Sequence, residues 1–282
     1  MMRSMFSAVS GLRNHQTMMD TIASNISNVN TFGFKGQRTT FKDALYQTLQ
    51  GASAPVAGGV GGSNARQVGL GMGLNSVDQI FTQGTTQNTG QVTDVMINGD
   101  GFFRVAGATA TWTGDTMAAG SGEVYTRAGN FSFDAQGYLV TTTGQYVLGD
   151  LAGGGVGRLK VDPATTAAIT IDAAGVLTAI STAGTPTQIG TLSLAKFANQ
   201  GGLERIGGNM YRVSNNSGAP VVGNPGGAQG HGSVTAGALE MSNVDLALEF
   251  TNMIIAQRGF QANSRAISTS DDMLQELVNL KR

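Results

Sequence analysis

The chain has no cysteine, which excludes disulfides, cysteine-ligated zinc, iron–sulfur clusters and thiol catalysis. Histidine is almost as scarce: His15 and His231 stand at opposite ends of the 282 residues. That separation makes a poor metal motif or catalytic triad, and no Gly-x-Ser-x-Gly elbow accompanies it. Both histidines are expected at the surface. Charged residues are 12% of the chain, about half the usual share. The 17 basic and 18 acidic residues nearly cancel, leaving a formal charge of -1. No basic stripe invites nucleic acid, and no acids are placed as a general acid/base pair. No stretch approaches the ~18 apolar residues of a membrane helix. Ser4, Ser7, Ser10, Asn14 and His15 interrupt the apolar run that a cleaved secretory signal requires. The single tryptophan, Trp112, lies in the polar stretch 107–122 and is expected as a half-buried ring closing an exposed loop. No cofactor, no metal, no nucleic-acid partner, no membrane insertion and no enzymatic activity are expected.

What the chain has in quantity is glycine, 42 residues scattered without a collagen-like period. It also has apolar stripes at both ends. Met2, Met5, Val9, Leu12, Met19 and Ile26 recur at alternating three- and four-residue steps, with Gln16 and Ala23 in the remaining slots. Leu246, Phe250, Met253, Phe260, Ile267, Leu274 and Val278 do the same, interrupted by Gln257, Ser264 and Asp271. Such stripes bury themselves against other helices. The spacing predicts a first helix from residue 2 to about 30, roughly 40 Å long, stopped at Gly33. It predicts a second helix from Asn243 to the end. Ile22 and Val29, and likewise Met273, Leu277 and Leu280, add second apolar faces. A helix apolar on two faces needs two sets of neighbours, as in a packed tube of subunits. Ordinary helices of a monomeric core are the alternative.

Between the stripes the pattern is β. Residues 35–50 form a shorter amphipathic stretch around Phe41, Leu45 and Leu49, and the glycine-dense residues 51–73 read as a flexible connector or exposed loop. Gly69-x-Gly-x-Gly has the wrong spacing for a phosphate cradle, and no Lys-Ser or Lys-Thr follows it. From about 74 the period becomes two. Val95-Met-Ile, Asn98-Gly-Asp-Gly and Phe102-Phe-Arg-Val read as strand, tight turn, strand. Phe131-Ser-Phe-Asp-Ala-Gln-Gly-Tyr-Leu and Ile169-Thr-Ile-Asp-Ala-Ala-Gly-Val-Leu each read as a hairpin, with Asp134 and Asp172 as turn residues rather than calcium ligands. Residues 215–233 are loop-like. The expected class is α+β, with long terminal coiled-coil helices flanking a mainly antiparallel β-domain. The expected division is a terminal helical core (1–32 and 240–282), a connector with a glycine-rich loop (33–93) and a β-rich outer domain (94–239).

Three segments carry a resemblance. Ser24-Asn-Ile-Ser-Asn-Val-Asn-Thr-Phe-Gly-Phe-Lys resembles the signature ending the first helix of bacterial flagellar rod and hook proteins. Asn98-Gly-Asp-Gly-Phe-Phe resembles the hairpin that opens their β-domain. Gly237-Ala-Leu-Glu-Met-Ser-Asn-Val-Asp-Leu, through Ile255-Ala-Gln-Arg-Gly-Phe-Gln-Ala-Asn-Ser, to Leu277-Val-Asn-Leu-Lys-Arg, resembles the C-terminal helix of the hook protein. The signature positions are Asn25, Asn28, Gly33, Phe34, Lys35, Gly99, Gly101, Phe102 and Asn243. The resemblance implies a homo-polymeric helical tube around an export channel, with the terminal helices on the inner wall. It implies export through the flagellar type III apparatus without a cleaved signal, to the hook and basal-body region of the extracellular flagellum. It also implies contacts with rod, hook-cap and hook–filament junction proteins. The ending Leu277-Val-Asn-Leu-Lys-Arg and the glycine-rich outer region, poor in charge, favour a hook subunit, acting as a universal joint and similar to the short Gram-positive form. A distal rod subunit is the alternative.

Overall fold

Two long helices dominate the chain's ends: α1 (Met2–Ser27) and α2 (Leu246–Asn279). The computed structural model describes residues 2–55, 61–118, 122–227 and 229–280. The chain divides into two units, one of Met1–Ser27, Gln37–Gln79 and Asp245–Arg282, the other of Asn28–Gly36 and Ile80–Val244.

In the first unit the helices join a two-stranded β-ribbon. β1 (Gln37–Asp43), β2 (Tyr46–Gln50), β3 (Arg66–Gly69) and β4 (Met72–Gln79) follow α1 in order. β1 pairs antiparallel with β4 from Gln37↔Gln79 to Asp43↔Met72, and β2 pairs with β3 from Tyr46↔Gly69 to Gln50↔Arg66. A bridge between Ser53 and Ser63 extends the ribbon further. The connector expectation for 51–73 changes in part: residues 66–69 and 72–73 are paired strand and Ser53 bridges Ser63, while the rest of its described residues are loop. Glycine density misled, because Gly69, Gly71 and Gly73 sit within or beside strands. Gly71 adopts φ +118 with a Cβ position only 2.3 Å from Ser10 Oγ, so only glycine fits there. Gly58 and Gly59 lie outside the described residues.

The second unit is almost entirely antiparallel β. β5 (Thr86–Asn88), β6 (Val95–Asn98) and β7 (Phe102–Ala106) open it. β7 lies inside a six-stranded sheet in the order Glu204–Gly207, Met210–Arg212, Glu123–Thr126, β7, Leu194–Lys196, Val221–Gly223. A seven-stranded sheet runs Thr166–Ile171, Val176–Ser181, Pro186–Leu192, Leu148–Leu151, Val156–Arg158, Thr116–Met117, Trp112–Thr113. β7 is buried along its whole length and feeds two cores. Phe103 joins Val95, Ile97, Phe131, Leu159 and Leu192 in one cluster. Phe102 joins Tyr125, Phe197, Leu203 and Tyr211 in another.

The strands around Asn98–Gly101 form as expected, but they do not pair with each other. β6 pairs with Ser233–Ala236, whereas β7 pairs with Glu123–Thr126 and Leu194–Lys196. Gly99 (φ +109) and Gly101 (φ +143) hand the chain from one sheet to another instead of closing a hairpin. The two aspartate turns behave as expected. Asp134 Oδ1 accepts from the amides of Gln136 (2.9 Å) and Tyr138 (2.7 Å), and Asp172 Oδ1 accepts from Ala174 and Val176, both at 2.9 Å.

Candidate assembly surface

Within the first unit α1 and α2 pack side by side and antiparallel. Asn25 Nδ2 donates to Glu249 Oε1 at 2.8 Å, His15 faces Gly259, and Asn263 faces Gly11. As position numbers rise on one helix they fall on the other. The buried residues of the two helices are mostly small or polar: Ala8, Gly11 and Asn25 on α1, with Ile22 as the one large apolar member, and Ala256 and Ser270 on α2. A β-carbon at Gly259 would lie 2.5 Å from His15 Cε1, and one at Gly11 would lie 2.7 Å from Asn263 Nδ2. Glycine inside a helix costs about 1 kcal/mol relative to alanine. Here the loss permits close approach.

Asn25 ties three elements together. Besides Glu249, its Nδ2 donates to the carbonyl of Gln37, and its Oδ1 accepts the Gln37 amide at 2.9 Å. Burial raises the Glu249 carboxyl above its ordinary value, with the Asn25 amide pulling the other way. Asp245 caps α2, its Oδ1 accepting from the amides of Ala247 and Leu248. On a neighbouring face α1 meets the ribbon: Asn14 Nδ2 donates to the Met72 carbonyl at 2.8 Å, and the Thr21 and Thr39 hydroxyls lie 2.7 Å apart.

The residues of the expected seams are only partly covered by this contact. Val9 is 37% exposed, Phe250 51% and Val278 68%. Leu246 and Phe260 are also exposed, while Met5, Leu12, Met19, Ile26, Met253, Ile267 and Leu274 are half-buried. Gln257, Ser264 and Asp271 are exposed. Large apolar side chains thus remain open on both helices, joined by Met2, Phe6, Leu248, Ile254 and Ile255. Large residues alone could not reveal the internal face. Its signal is a second seven-residue repeat of smaller or polar side chains, Glu249, Ala256, Asn263 and Ser270, matched on α1 by Gly11 and Asn25.

The signature residues of the second unit converge on a buried ionic cluster. Lys35 and Glu240 are fully buried and pair at 2.6 Å. Arg127, also buried, reaches the other Glu240 oxygen at 3.2 Å and donates to the Gly99 carbonyl at 2.7 Å. Lys35 Nζ also donates to the Thr82 carbonyl, and the Gly84 amide donates to Glu240. Burial pulls the Lys35 ammonium below the ordinary lysine value; Glu240 opposes that and Arg127 adds to it. Around this cluster Asn243 Oδ1 accepts from the Gly36 amide, and its Nδ2 donates to the carbonyls of Ile80 and Thr82. Gly33 adopts φ +67 with its Cβ position 2.6 Å from the Ala128 nitrogen, and the Arg205 guanidinium lies over the Phe34 ring. The Arg127 guanidinium lies over Phe102, and Gly101 packs beside Leu194. Asn28 accepts from the Thr31 hydroxyl at 3.1 Å. The chain passes between its two units four times. The segments 33–36, 80–84 and 240–243 that build this network each adjoin one of those passages in sequence. Glu240 and Arg127 were missed by sequence reasoning, since nothing local marks a charge as buried.

Both histidines differ from the surface expectation. His231 is 5% exposed, with Nε2 3.0 Å from the Val221 carbonyl, and His15 is half-buried against α2 with its ring edge-on to Phe41. Trp112 is a half-buried strand residue, packed edge-on against Tyr146 and beneath Arg158. Among the described residues there is no cluster of three metal-ligating side chains, and no helix is long and apolar enough to cross a membrane.

Known proteins match this arrangement along the chain. Residues 5–35 match the family described as flagella basal body rod protein, residues 96–185 the flagellar hook protein FlgE/F/G D1 domain, and residues 235–280 the flagellar basal body rod FlgEFG protein C-terminal family. The flagellar basal-body rod protein FlgG of Bacillus subtilis (strain 168) is 46% identical over 282 residues, covering all of both chains. The FlgG of Borreliella burgdorferi is 38% identical over 283 residues, again covering both completely. The flagellar hook protein FlgE of Treponema pallidum is 31% identical, in an alignment of 465 positions covering all of both chains.

Those matches define a structural component of the flagellar axis. The chain belongs to the FlgE/F/G family of flagellar rod and hook proteins. Within that family the hook expectation is less well supported than its alternative. The rod-named relatives align over 282 and 283 positions, whereas the hook relative needs 465, far more than this chain has.

Proposed function

We propose that the chain is the subunit of the distal flagellar rod, polymerising as a stiff helical shaft. The observation that carries this reading is the full-length match to a rod protein, 46% identical over 282 residues with both chains covered. The ribbon supports it physically. β2 and β3 are exposed along their whole lengths, and Leu45, Tyr46, Leu49, Val68 and Leu70 lie open on or beside them. A two-stranded ribbon is marginal alone. Neighbouring subunits that cover it gain apolar burial and become fixed against one another. Such burial would restrain the universal-joint bending that low charge and abundant glycine favour.

In this reading 1–32 and 240–282 form the inner core of the shaft, 33–93 the connector and 94–239 the outer domain. The open stripe residues Val9, Leu246, Phe250, Phe260 and Val278 meet neighbouring helices as intersubunit seams, together with the half-buried members of each stripe. Subunits travel through the type III export apparatus and abut rod and hook proteins. A hook subunit is the second reading, favoured by the Asn243-Val-Asp-Leu and Leu277-Val-Asn-Leu-Lys-Arg segments. To separate the two, hook–basal bodies are purified, the hooks detached, and the chain quantified by mass spectrometry in each fraction. Recovery with the rod-bearing basal bodies is expected. Recovery with the detached hooks would overturn the rod assignment.

A further inference from the structure

We infer that the open groove between the first half of α1 and β4 receives the free C-terminal turns of α2 from a second copy of this chain. The inference rests on the polymeric reading above and adds the pair of surfaces that meet. It begins with register. Gly11 faces Asn263 and His15 faces Gly259, so the start of α1 at Met2 lies level with about residue 272 of α2. Beyond that point α2 runs on without a partner helix for about 12 Å. This overhang carries Met273, Leu277, Val278 and Leu280, which are 51%, 50%, 68% and 81% exposed. A helix end with so much open apolar surface is weakly held by propensity alone and gains by burial.

The groove is the complementary feature. Phe6, Val9, Arg13, Asn14, Met72 and Gly73 line about 470 Å³, and Phe6 is 68% exposed. Its one charge is Arg13. Asp272 and Glu276, one turn apart, flank the Met273–Leu277 stripe of the overhang. None of these three makes an ion pair among the described residues. The carbonyl end of α2 adds negative potential of the same sign. The overhang cannot fold back into its own groove. Residue 277 lies about 20 Å further along the pair than the groove's centre near Ser10. The occupant is therefore another copy, displaced along the helix axis. Groove and overhang are different surfaces, so the contact is head-to-tail and generates an open polymer unless rotation closes it.

The absence of cysteine makes the test clean. Val9→Cys and Leu277→Cys are introduced together into the full chain in a bacterium whose own copy is replaced, and purified hook–basal bodies are oxidised. A reducible ladder of dimers and higher multimers is expected from the double variant, and none beyond dimers from either single variant. Phe6→Cys with Leu280→Cys serves as a second pair. Intact rods that yield only monomers from both pairs would overturn the groove assignment while leaving the rod reading in place. A ladder from chains recovered in the hook fraction would do the reverse. Should the cysteines block assembly, Arg13→Glu decides: it is expected to lower rod assembly several-fold, with Asp272→Arg in the same chain restoring it. No restoration would count against the pairing.

Discussion

Gly259→Ala separates close helix packing from simple helix propensity, because the two effects have opposite signs. At an exposed interior site, alanine in place of glycine stabilises a helix by about 1 kcal/mol. At Gly259 the new methyl would stand 2.5 Å from His15 Cε1 and 2.6 Å from Nε2. Carbon contacts settle near 3.5–4.0 Å, so the helices must part, or the ring must move, by about 1 Å. Phe41 meets the ring edge-on at 6.0 Å, so a swing toward it is resisted. Overpacking of this kind costs about 1–3 kcal/mol. The expected balance is a net loss of about 1 kcal/mol, read as a lower urea midpoint of the 222-nm helical signal in the full chain. Adding His15→Ala removes the obstacle, and a coupling of at least about 1 kcal/mol should appear in the double-mutant cycle. If Gly259→Ala raises the midpoint, whether or not His15 is present, the two helices do not approach as described.

Further expectations follow from the same contacts. Glu240→Gln leaves Lys35 and Arg127 buried without their shared counter-charge; a loss of about 3–5 kcal/mol in unfolding of the β-rich unit is expected, and a loss below 1 kcal/mol would deny the cluster its structural role. Glu249 has a folded pKa raised above its ordinary 4.5, so the folded chain holds the proton more tightly than the unfolded one. Its penalty is full at neutral pH and disappears as pH falls through the folded value to below the ordinary one. The midpoint difference between Glu249→Gln and the parent should therefore shrink on acidification from pH 7 to about 4, and an unchanged difference would contradict the assignment. Asp172→Ala removes the side-chain acceptor of two backbone amides in an exposed turn and should cost about 1 kcal/mol, with Asp172→Asn closer to neutral. Deleting 246–282 should leave the β-rich unit folded, measured by near-ultraviolet circular dichroism, and abolish polymerisation; truncated chains that still form rods would refute the inner-core role of α2.

The helices were legible because a stripe repeated over about seven to nine turns has no competing reading as strand. The observed Met2–Ser27 and Leu246–Asn279 fall within a few residues of the expected bounds. The aspartate turns were legible because Asp-Ala-x-Gly states its own hydrogen bonds locally. Which face of each helix turns inward was not. Large residues advertise burial, yet the chain buries Gly11, Asn25 and Ser270 inside the pair and leaves Phe6 and Phe250 open. Pairing of β6 was illegible for another reason: tight-turn chemistry specifies a change of direction, and Gly99 and Gly101 spend it on a change of sheet. The Lys35–Glu240–Arg127 cluster joins residues far apart in sequence, which no local pattern announces. Between hook and rod the terminal segments point one way, toward the hook, and the end-to-end alignment with rod-named relatives points the other.

The central claim is that this chain builds the distal rod, and the most direct test is electron cryo-microscopy of basal bodies from a strain lacking the gene. The account predicts basal bodies whose distal rod is missing, with hook and filament absent as a consequence. Complete rods that lack only the hook would contradict it.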